Sequence, residues 1–395
     1  MTATPASDAR PIVIVGSGLA GYTVARELRK LDKQTPLVVL SRDHAGFYSK
    51  PMLSNALAGG KTAATLVMKP APKMAEELQA TVRSRVEVQA IDTDARTLAV
   101  GGGETLAYRD LVLALGADPI RLPLDGDGAQ DEVLSVSDLD DYARFAERLS
   151  GVRSVAILGA GLIGCEFAND LRARDVAPTV IDPAPGPLSR LLPPDAGAYL
   201  QRRLESAGVQ FRFGTAARRV DRDASGAAAF RLTLDDGSTL CADLVLSAIG
   251  LRPRTSLAHD AGLAVQRGVV VDRRLAASAP HVHAVGDCAE VEGHALPFVM
   301  PIMQQARALA ATLAGTPTDV VYPAMPVIVK TPACPTVVCP PAPGANGAWS
   351  VESDGDGLVA RFTGSGGALL GFALMGTATA RRQALAAQVP GLLAG

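Results

Sequence analysis

The sequence has little of what would tie it to a membrane, a nucleic acid or an oxidising compartment. Its 395 residues include 5 cysteines, an odd number at scattered positions (Cys165, Cys241, Cys288, Cys334, Cys339). That argues against a disulfide framework and for reduced thiols in a reducing compartment. Neither sign of charge is in excess: 38 basic side chains stand against 40 acidic ones, a formal net charge of −2, so neither nucleic acid nor a membrane surface is an expected partner. No apolar run approaches the roughly 18 residues that span a bilayer. The first ten residues lack the charged-then-apolar order of a secretory leader, which makes a cytoplasmic location the expectation. Low-complexity tracts are absent too. What is abundant is apolar residue, 48%, enough for large cores, and the length predicts two or three domains.

Two glycine runs stand out: Gly16-Ser-Gly18-Leu-Ala-Gly21 and Gly159-Ala-Gly161-Leu-Ile-Gly164. Each follows an apolar strand and opens an amphipathic helix, the context in which such a run binds a dinucleotide. The glycines permit a tight turn and close approach to a pyrophosphate, and the helix N-terminus offers unpaired N–H groups. Strand, turn, helix and strand are expected over Pro11 to Val15, Ala20 to Leu31 and Leu37 to Leu40, and again over Ser154 to Leu158, Ile163 to Arg174 and Pro178 to Asp182. Two apolar strands with glycine exits, ending at Gly116 and Gly250, read as the points where the chain crosses between units. The pattern predicts an α/β fold with two Rossmann-like dinucleotide-binding domains and a small C-terminal α+β domain. The first domain is expected over residues 1–117 and 250–321, the second inserted at 118–249, and the last at 322–395. A helix is expected near Met303 to Leu313.

Asp182 ends the second strand of the second unit, 23 residues after Gly159. A carboxylate there binds a ribose hydroxyl pair and favours NADH over NADPH. The first unit departs from this rule: its strand ends in Ser41-Arg42, and Asp43 is the first acidic residue available for a ribose. Gly286-Asp287 follows a short strand, where a carboxylate suits a polyol such as the ribityl chain of a flavin.

With these pieces the chain resembles the flavoprotein pyridine-nucleotide-dependent oxidoreductases with two dinucleotide domains, glutathione-reductase-like in architecture, over essentially its whole length. Tyr48-Ser-Lys50-Pro51-Met-Leu-Ser, Gly164-Cys-Glu166-Phe-Ala-Asn-Asp, Gly250-Leu-Arg-Pro-Arg-Thr255, Gly286-Asp287-Cys-Ala-Glu and Val329-Lys330-Thr-Pro-Ala-Cys-Pro narrow the likeness to the bacterial NADH:rubredoxin reductases. The resemblance implies noncovalent FAD, NADH as co-substrate, and single electrons passed to rubredoxin, an Fe(Cys)4 carrier, often for alkane hydroxylation. It places Gly16, Ser17, Gly18, Leu19, Ala20 and Gly21 on the FAD pyrophosphate and Lys50 and Pro51 beside the isoalloxazine. Val88 falls on the adenine side, Asp43 and Gly116 among the further FAD contacts, and Asp287 and Val299 at the ribityl chain and ring. Gly159, Gly161, Leu162, Ile163, Gly164, Asp182 and Gly250 fall to NAD. Glu166 faces the junction of flavin and nicotinamide. Lys330 is a cation expected near flavin N1, where it would stabilise the reduced form. Lys50, Glu166 and Lys330 are thus the charged candidates for catalysis, although direct hydride transfer requires no protein acid or base. Rubredoxin would dock transiently, with Arg381 and Arg382 as candidate docking charges, and a monomer is expected. Within enzymes a ferredoxin reductase of an oxygenase system or an NADH oxidase shares these features. A non-catalytic NADH-sensing flavoprotein is the alternative from another class.

Disulfide reductases similar to this chain carry a redox cysteine pair shortly after the first glycine run; here that region reads Phe47-Tyr-Ser-Lys-Pro-Met-Leu-Ser54. Cys334 and Cys339 are read as structural, and Cys288 as a buried thiol in preference to a sulfenate-forming one. His281 and His283 are expected on one strand face, and no spacing completes a metal set.

Overall fold

Both glycine runs leave the middle strand of a five-stranded parallel sheet. In the first sheet Ile12–Val15 lies between Leu37–Leu40 and Asp110–Leu113, with Thr81–Arg83 and Val282–Ala284 at the edges. In the second, Ser154–Leu158 lies between Ala177–Asp182 and Leu244–Ser247, with Gln210–Phe213 and Val133–Leu134 outside them. Every pairing in both is parallel. Parallel strands are covered on both faces, which is why Ile12 to Ile14 and Ala156 to Ile157 are fully buried, consecutive apolar residues. The structure, a computed structural model, describes residues 10–128, 132–226 and 228–393. Residues 1–9, on which the reading of a missing secretory leader rests, lie outside the described residues.

Each sheet is interrupted by a three-stranded antiparallel meander before its last crossover: Val88–Asp92, Thr97–Val100 and Glu104–Ala107 in the first, Ala217–Arg222, Phe230–Leu234 and Thr239–Ala242 in the second. The chain passes between the two units on a two-stranded ribbon, Ala117–Pro119 paired antiparallel with Leu251–Pro253. Gly116 and Gly250 stand at its entrances with φ of 72° and 122°, a region that L side chains rarely adopt. Arg254 tightens the crossing through Asp118 at 2.7 Å and the Leu115 carbonyl at 2.7 Å.

The helices after the glycine runs, Leu19–Leu31 and Leu162–Arg172, lie within two residues of expectation. The helix expected near Met303 starts instead at Val299 and runs to Leu313. Pro301 stands in its first turn, where a missing N–H leaves no intrahelical bond unmade. The last region is a five-stranded antiparallel sheet in the order Val327–Val329, Thr336–Cys339, Leu369–Met375, Gly357–Gly364 and Gly347–Asp354, followed by a short helix Arg382–Ala386. Among the described residues no helix is long and apolar enough to cross a membrane. His281 and His283 do not share a strand face. His281 precedes the strand with φ of 63° and meets Asp110 at 3.0 Å near the surface, whereas His283 is buried inside it. No group of His, Cys, Asp or Glu among the described residues is arranged to hold a metal.

The two glycine turns are built alike. A β-carbon on Gly21 would lie 1.9 Å from the Gly16 carbonyl oxygen, and one on Gly164 would lie 1.9 Å from that of Gly159. These third glycines let the helix lie directly on the turn. The second glycines, Gly18 and Gly161, have no atom within 4 Å of such a β-carbon; the space they leave open faces outward from the turn. Gly164→Ala is therefore expected to destabilise the fold by about 2–3 kcal/mol through overpacking against backbone, while Gly161→Ala leaves stability unchanged. Scanning calorimetry of the two variants checks the contrast.

Candidate functional site

The C-terminal ends of the first sheet open on a cavity of about 1570 Å³ whose walls come from all three parts of the chain. The turn Gly16 to Ala20 forms its floor. The helix that starts at Leu19 has Gly18 as its cap, with no side-chain cap and no acidic residue in the first turn. Its first N–H groups and the positive end of its dipole are thus free for an anion. Leu162–Arg172 begins in the same way, capped by Gly161. A phosphate-bearing group fits both turns: Gly18 and Gly161 leave the space that a side chain would fill.

Asp43 lines the cavity beside the first turn. Its Oδ1 accepts from the Ser41 hydroxyl at 2.6 Å, the Ala45 N–H at 2.8 Å and the Ser17 hydroxyl at 3.2 Å. Burial opposes its ionisation, but these donors and nearby His44 hold the carboxyl below its ordinary value. All three bonds fall on Oδ1, so among the described residues Oδ2 has no donor competing with a ligand hydroxyl. In the second unit Asp182 behaves differently. Its Oδ2 accepts from Ala160 N–H and its Oδ1 from Ala184 N–H, both at 2.7 Å, so it braces the glycine turn as well as standing at the strand end.

Lys50 and Pro51 open a short 3₁₀ turn, Lys50–Asn55, on one wall, and Asp287 projects from another. Burial pushes the Lys50 ammonium down, with Asp287 opposing, and pushes the Asp287 carboxyl up, with Lys50 and Arg254 opposing. Among the described residues neither side chain has a hydrogen bond to another. Two polar side chains with no hydrogen-bond partner among the described residues, in a large, mainly apolar cavity, suit a polar cofactor with an extended hydroxylated chain. Val88, Gly116 and Val299 also line this cavity. Val299 is at the rim, 41% exposed, next to Met300 at 40% and Ile328 at 51%.

The remaining wall is the first two turns of Leu162–Arg172, through Leu162, Ile163 and Glu166. Glu166 is 3% exposed. Its Oε2 accepts from Lys330 Nζ at 2.5 Å and from the Ser54 hydroxyl, and its Oε1 accepts from the Lys330 backbone N–H at 2.9 Å. One turn on, Asp170 accepts from the N–H groups of Leu57 at 2.8 Å and Ala58 at 2.9 Å, and Asn169 Oδ1 from Ala333 N–H at 3.0 Å. Burial raises the Asp170 carboxyl above its ordinary value despite the two N–H donors. Lys330, expected as a cation near the flavin, is thus one half of a part-buried ion pair that also faces the cavity. Its field is partly cancelled by Glu166.

Gly21, Gly159, Gly161, Gly164, Asp182 and Gly250 do not line this cavity; the second turn leads into the N-terminus of the Leu162–Arg172 helix. Arg381 is paired with Asp354 at 3.4 Å, whereas Arg382 is exposed and borders the cavity. All five cysteines are free. Burial pushes the Cys165 thiol up to about 12 and those of Cys288 and Cys339 to about 11, and none of the five lines the cavity. Sequence reasoning assigned no role to Ser54, Asn169, Asp170 or Arg254. All four lay within or at the end of the segments that carried the family resemblance, and the i, i+4 spacing of Glu166 and Asp170 marked one helix face, but their partners are more than 100 residues away.

Because the Asp43 carboxyl is held low, its stabilising contribution is present above its ordinary value of 3.8 and is lost as the pH falls through the lower value of the folded state. The melting temperature of Asp43→Asn should lie below that of the unaltered protein at neutral pH, with the gap closing as acid is added below pH 3.8.

Two sequence profiles match the chain: pyridine nucleotide-disulphide oxidoreductase over residues 10–311, and rubredoxin binding C-terminal domain over residues 319–389. The chain is 50% identical to a rubredoxin-NAD(+) reductase of Alcanivorax borkumensis, over 97% of this chain and 99% of that one. It is 46% identical to a rubredoxin-NAD(+) reductase of Acinetobacter baylyi, over 97% and 98%. Among solved structures it is similar to a ferredoxin reductase for the CYP199A2 system of Rhodopseudomonas palustris, with a TM-score of 0.86, 27% identity and coverage of 96% and 95%. Two glycine turns on twin parallel sheets, the profile match over residues 10–311 and 50% identity over 97% of the chain make it a member of the pyridine nucleotide-disulphide oxidoreductase family.

Proposed function

We propose that the protein is an FAD-containing reductase that takes electrons from NADH and passes them singly to rubredoxin. The observation that carries this reading is the double use of Leu162–Arg172: its N-terminus closes the second glycine turn while its first two turns wall the cavity of the first. A nicotinamide bound on the one and a flavin bound in the other would meet at Leu162, Ile163 and Glu166. Bound FAD supplies the conversion of a hydride from NADH into single electrons.

The protein contributes binding, orientation and charge. Gly16 to Gly21 would hold the FAD pyrophosphate on N–H groups and helix dipole. Asp43 would accept a ribose hydroxyl on Oδ2, Asp287 would accept from the ribityl chain, and Val88 and Gly116 would flank the cofactor. Lys50 and Pro51 would stand beside the ring, and Val299 at its edge. Gly159, Gly161 and Gly164 would take the NADH pyrophosphate, Asp182 its ribose diol, and Gly250 the backbone near the nicotinamide arm. The apolar walls exclude water from the hydride path. The C-terminal sheet places Ile328, Lys330 and Arg382 at the same cavity, so a partner seated on it would reach the flavin edge. Rubredoxin is favoured as that partner by the profile over residues 319–389, with an alkane-hydroxylating chain as the consumer that the resemblance implies.

Stopped-flow mixing tests the reading. NADH should bleach the yellow protein faster than NADPH does, and oxidised rubredoxin should restore the colour quickly, more slowly as salt screens the encounter. Faster recovery with a [2Fe–2S] ferredoxin, or with oxygen alone, would replace rubredoxin as acceptor. A second measurement addresses the ion pair. Lys330→Met leaves the Glu166 charge uncompensated and should lower the flavin midpoint potential, while Glu166→Gln frees the lysine charge and should raise it, each by ~30 mV. Equilibrium titration against a reference dye reads both. Unchanged potentials at full FAD content would remove the pair from the flavin's surroundings.

A further inference from the structure

The turn that presents Asp287 is held from outside by a buried polar chain. The Gly286 N–H donates to Oε1 of Gln305 at 2.7 Å, and Nε2 of Gln305 donates to the Tyr322 hydroxyl at 2.7 Å. Gln305 is 1% exposed and Tyr322 fully buried. Gln305 projects from Val299–Leu313 into the core of the first domain, beside Ala306 and Leu309. Tyr322 lies where that domain gives way to the C-terminal sheet, and its backbone is itself clamped: its N–H donates to the Leu393 carbonyl at 2.9 Å and its carbonyl accepts from Leu392 N–H at 2.8 Å. A hydrogen-bonded line thus runs from the C-terminal segment through apolar core to the residue before Asp287.

Packing alone would be served by a leucine at position 305. A buried primary amide is unfavourable unless its groups are satisfied, and here its carbonyl and amino ends are directed at two different parts of the chain. Gly286 shows why the turn needs holding. Its φ is 80°, and a β-carbon on it would lie 2.7 Å from Cβ of Ala20 in the first glycine turn. The Gly286 turn is therefore pressed against that helix on one side and tethered by Gln305 on the other, while the Asp287 side chain points into the cavity with no hydrogen-bond partner among the described residues.

We infer that Gln305 is a positioning residue for the cofactor: the relay Tyr322–Gln305–Gly286 sets where the Asp287 carboxylate stands in the cavity, and it couples retention of FAD to the seating of the C-terminal segment. The inference rests on the reading of Asp287 as a contact of bound FAD. Neither Gln305 nor Tyr322 lines the cavity, so their effect on the cofactor passes through the turn.

The experiment follows the release of FAD from the purified holoenzyme, as the rise of free-flavin fluorescence after dilution, beside the melting temperature of each variant. Gln305→Leu removes both bonds at similar volume and should release FAD about tenfold faster. Gln305→Glu, whose carboxyl burial keeps protonated, retains an acceptor for the Gly286 N–H and a donor to the Tyr322 hydroxyl, and should stay within about twofold of the unaltered protein. Tyr322→Phe deletes one hydroxyl, folds with its packing intact, and should speed release about threefold. Leu313→Ala, on the same helix two turns away, should lower the melting temperature without changing release. The inference is overturned if Gln305→Leu and Tyr322→Phe release FAD at the original rate, if Gln305→Glu is as leaky as Gln305→Leu, or if Leu313→Ala is equally leaky. Asp287→Ala separates the two readings: slow release from it beside fast release from Gln305→Leu would overturn the role of Asp287, while fast release from it beside slow release from Gln305→Leu would overturn the relay.

Discussion

A buried carboxylate, Glu166, joins three parts of the chain at one point. It accepts from Ser54 of the first domain and from the backbone and ammonium of Lys330 in the C-terminal sheet, while its own helix belongs to the second domain. Withdrawing Lys330 leaves the buried Glu166 carboxylate without its cation. The geometry of the cavity depends on this junction, because one of its walls is the helix that leads out of the second glycine turn and that Glu166 and Asp170 fasten down. Asp170 secures the other end of the same face with two backbone N–H groups. A loose helix here would let the two bound rings drift apart, and hydride transfer is steeply sensitive to such misplacement.

The same junction governs the electrostatics. A free lysine against the flavin would be a strong, fixed cation; a lysine paired at 2.5 Å is a dipole whose field depends on which way it points. Lys50 and Asp287 complement it from the opposite walls, both driven towards neutrality by burial and each favouring the other's charge. The five cysteines are away from the cavity and four of them are deeply buried. The chain thus shares a family with pyridine nucleotide-disulphide oxidoreductases while none of its cysteines lines the cavity.

The helices and strands around the glycine runs were legible to within two residues because their signals are local: apolar strand, glycine turn and amphipathic helix occupy one short stretch of chain. The helix beginning at Val299 was read four residues late, since a proline reads as a stop until its place in the first turn is known. His281 was read as part of a strand, yet it adopts a left-handed conformation that no alternation pattern reveals. In the site, Gly18, Gly161, Asp43 and Asp287 stood out in the sequence by position relative to a turn or strand end.

Residue order along the chain was sufficient for two nucleotide units, the crossing glycines and the absence of a redox cysteine pair, since each is a matter of spacing within a few tens of residues. Tertiary structure alone decided that Lys330 is paired, that Asp170 and Ser54 belong to the site, and that Gln305 and Tyr322 support the Asp287 turn. Those contacts join residues up to 164 positions apart, and a carboxylate, an amide or a hydroxyl carries no mark in the sequence of the distant group that will satisfy it once water is removed.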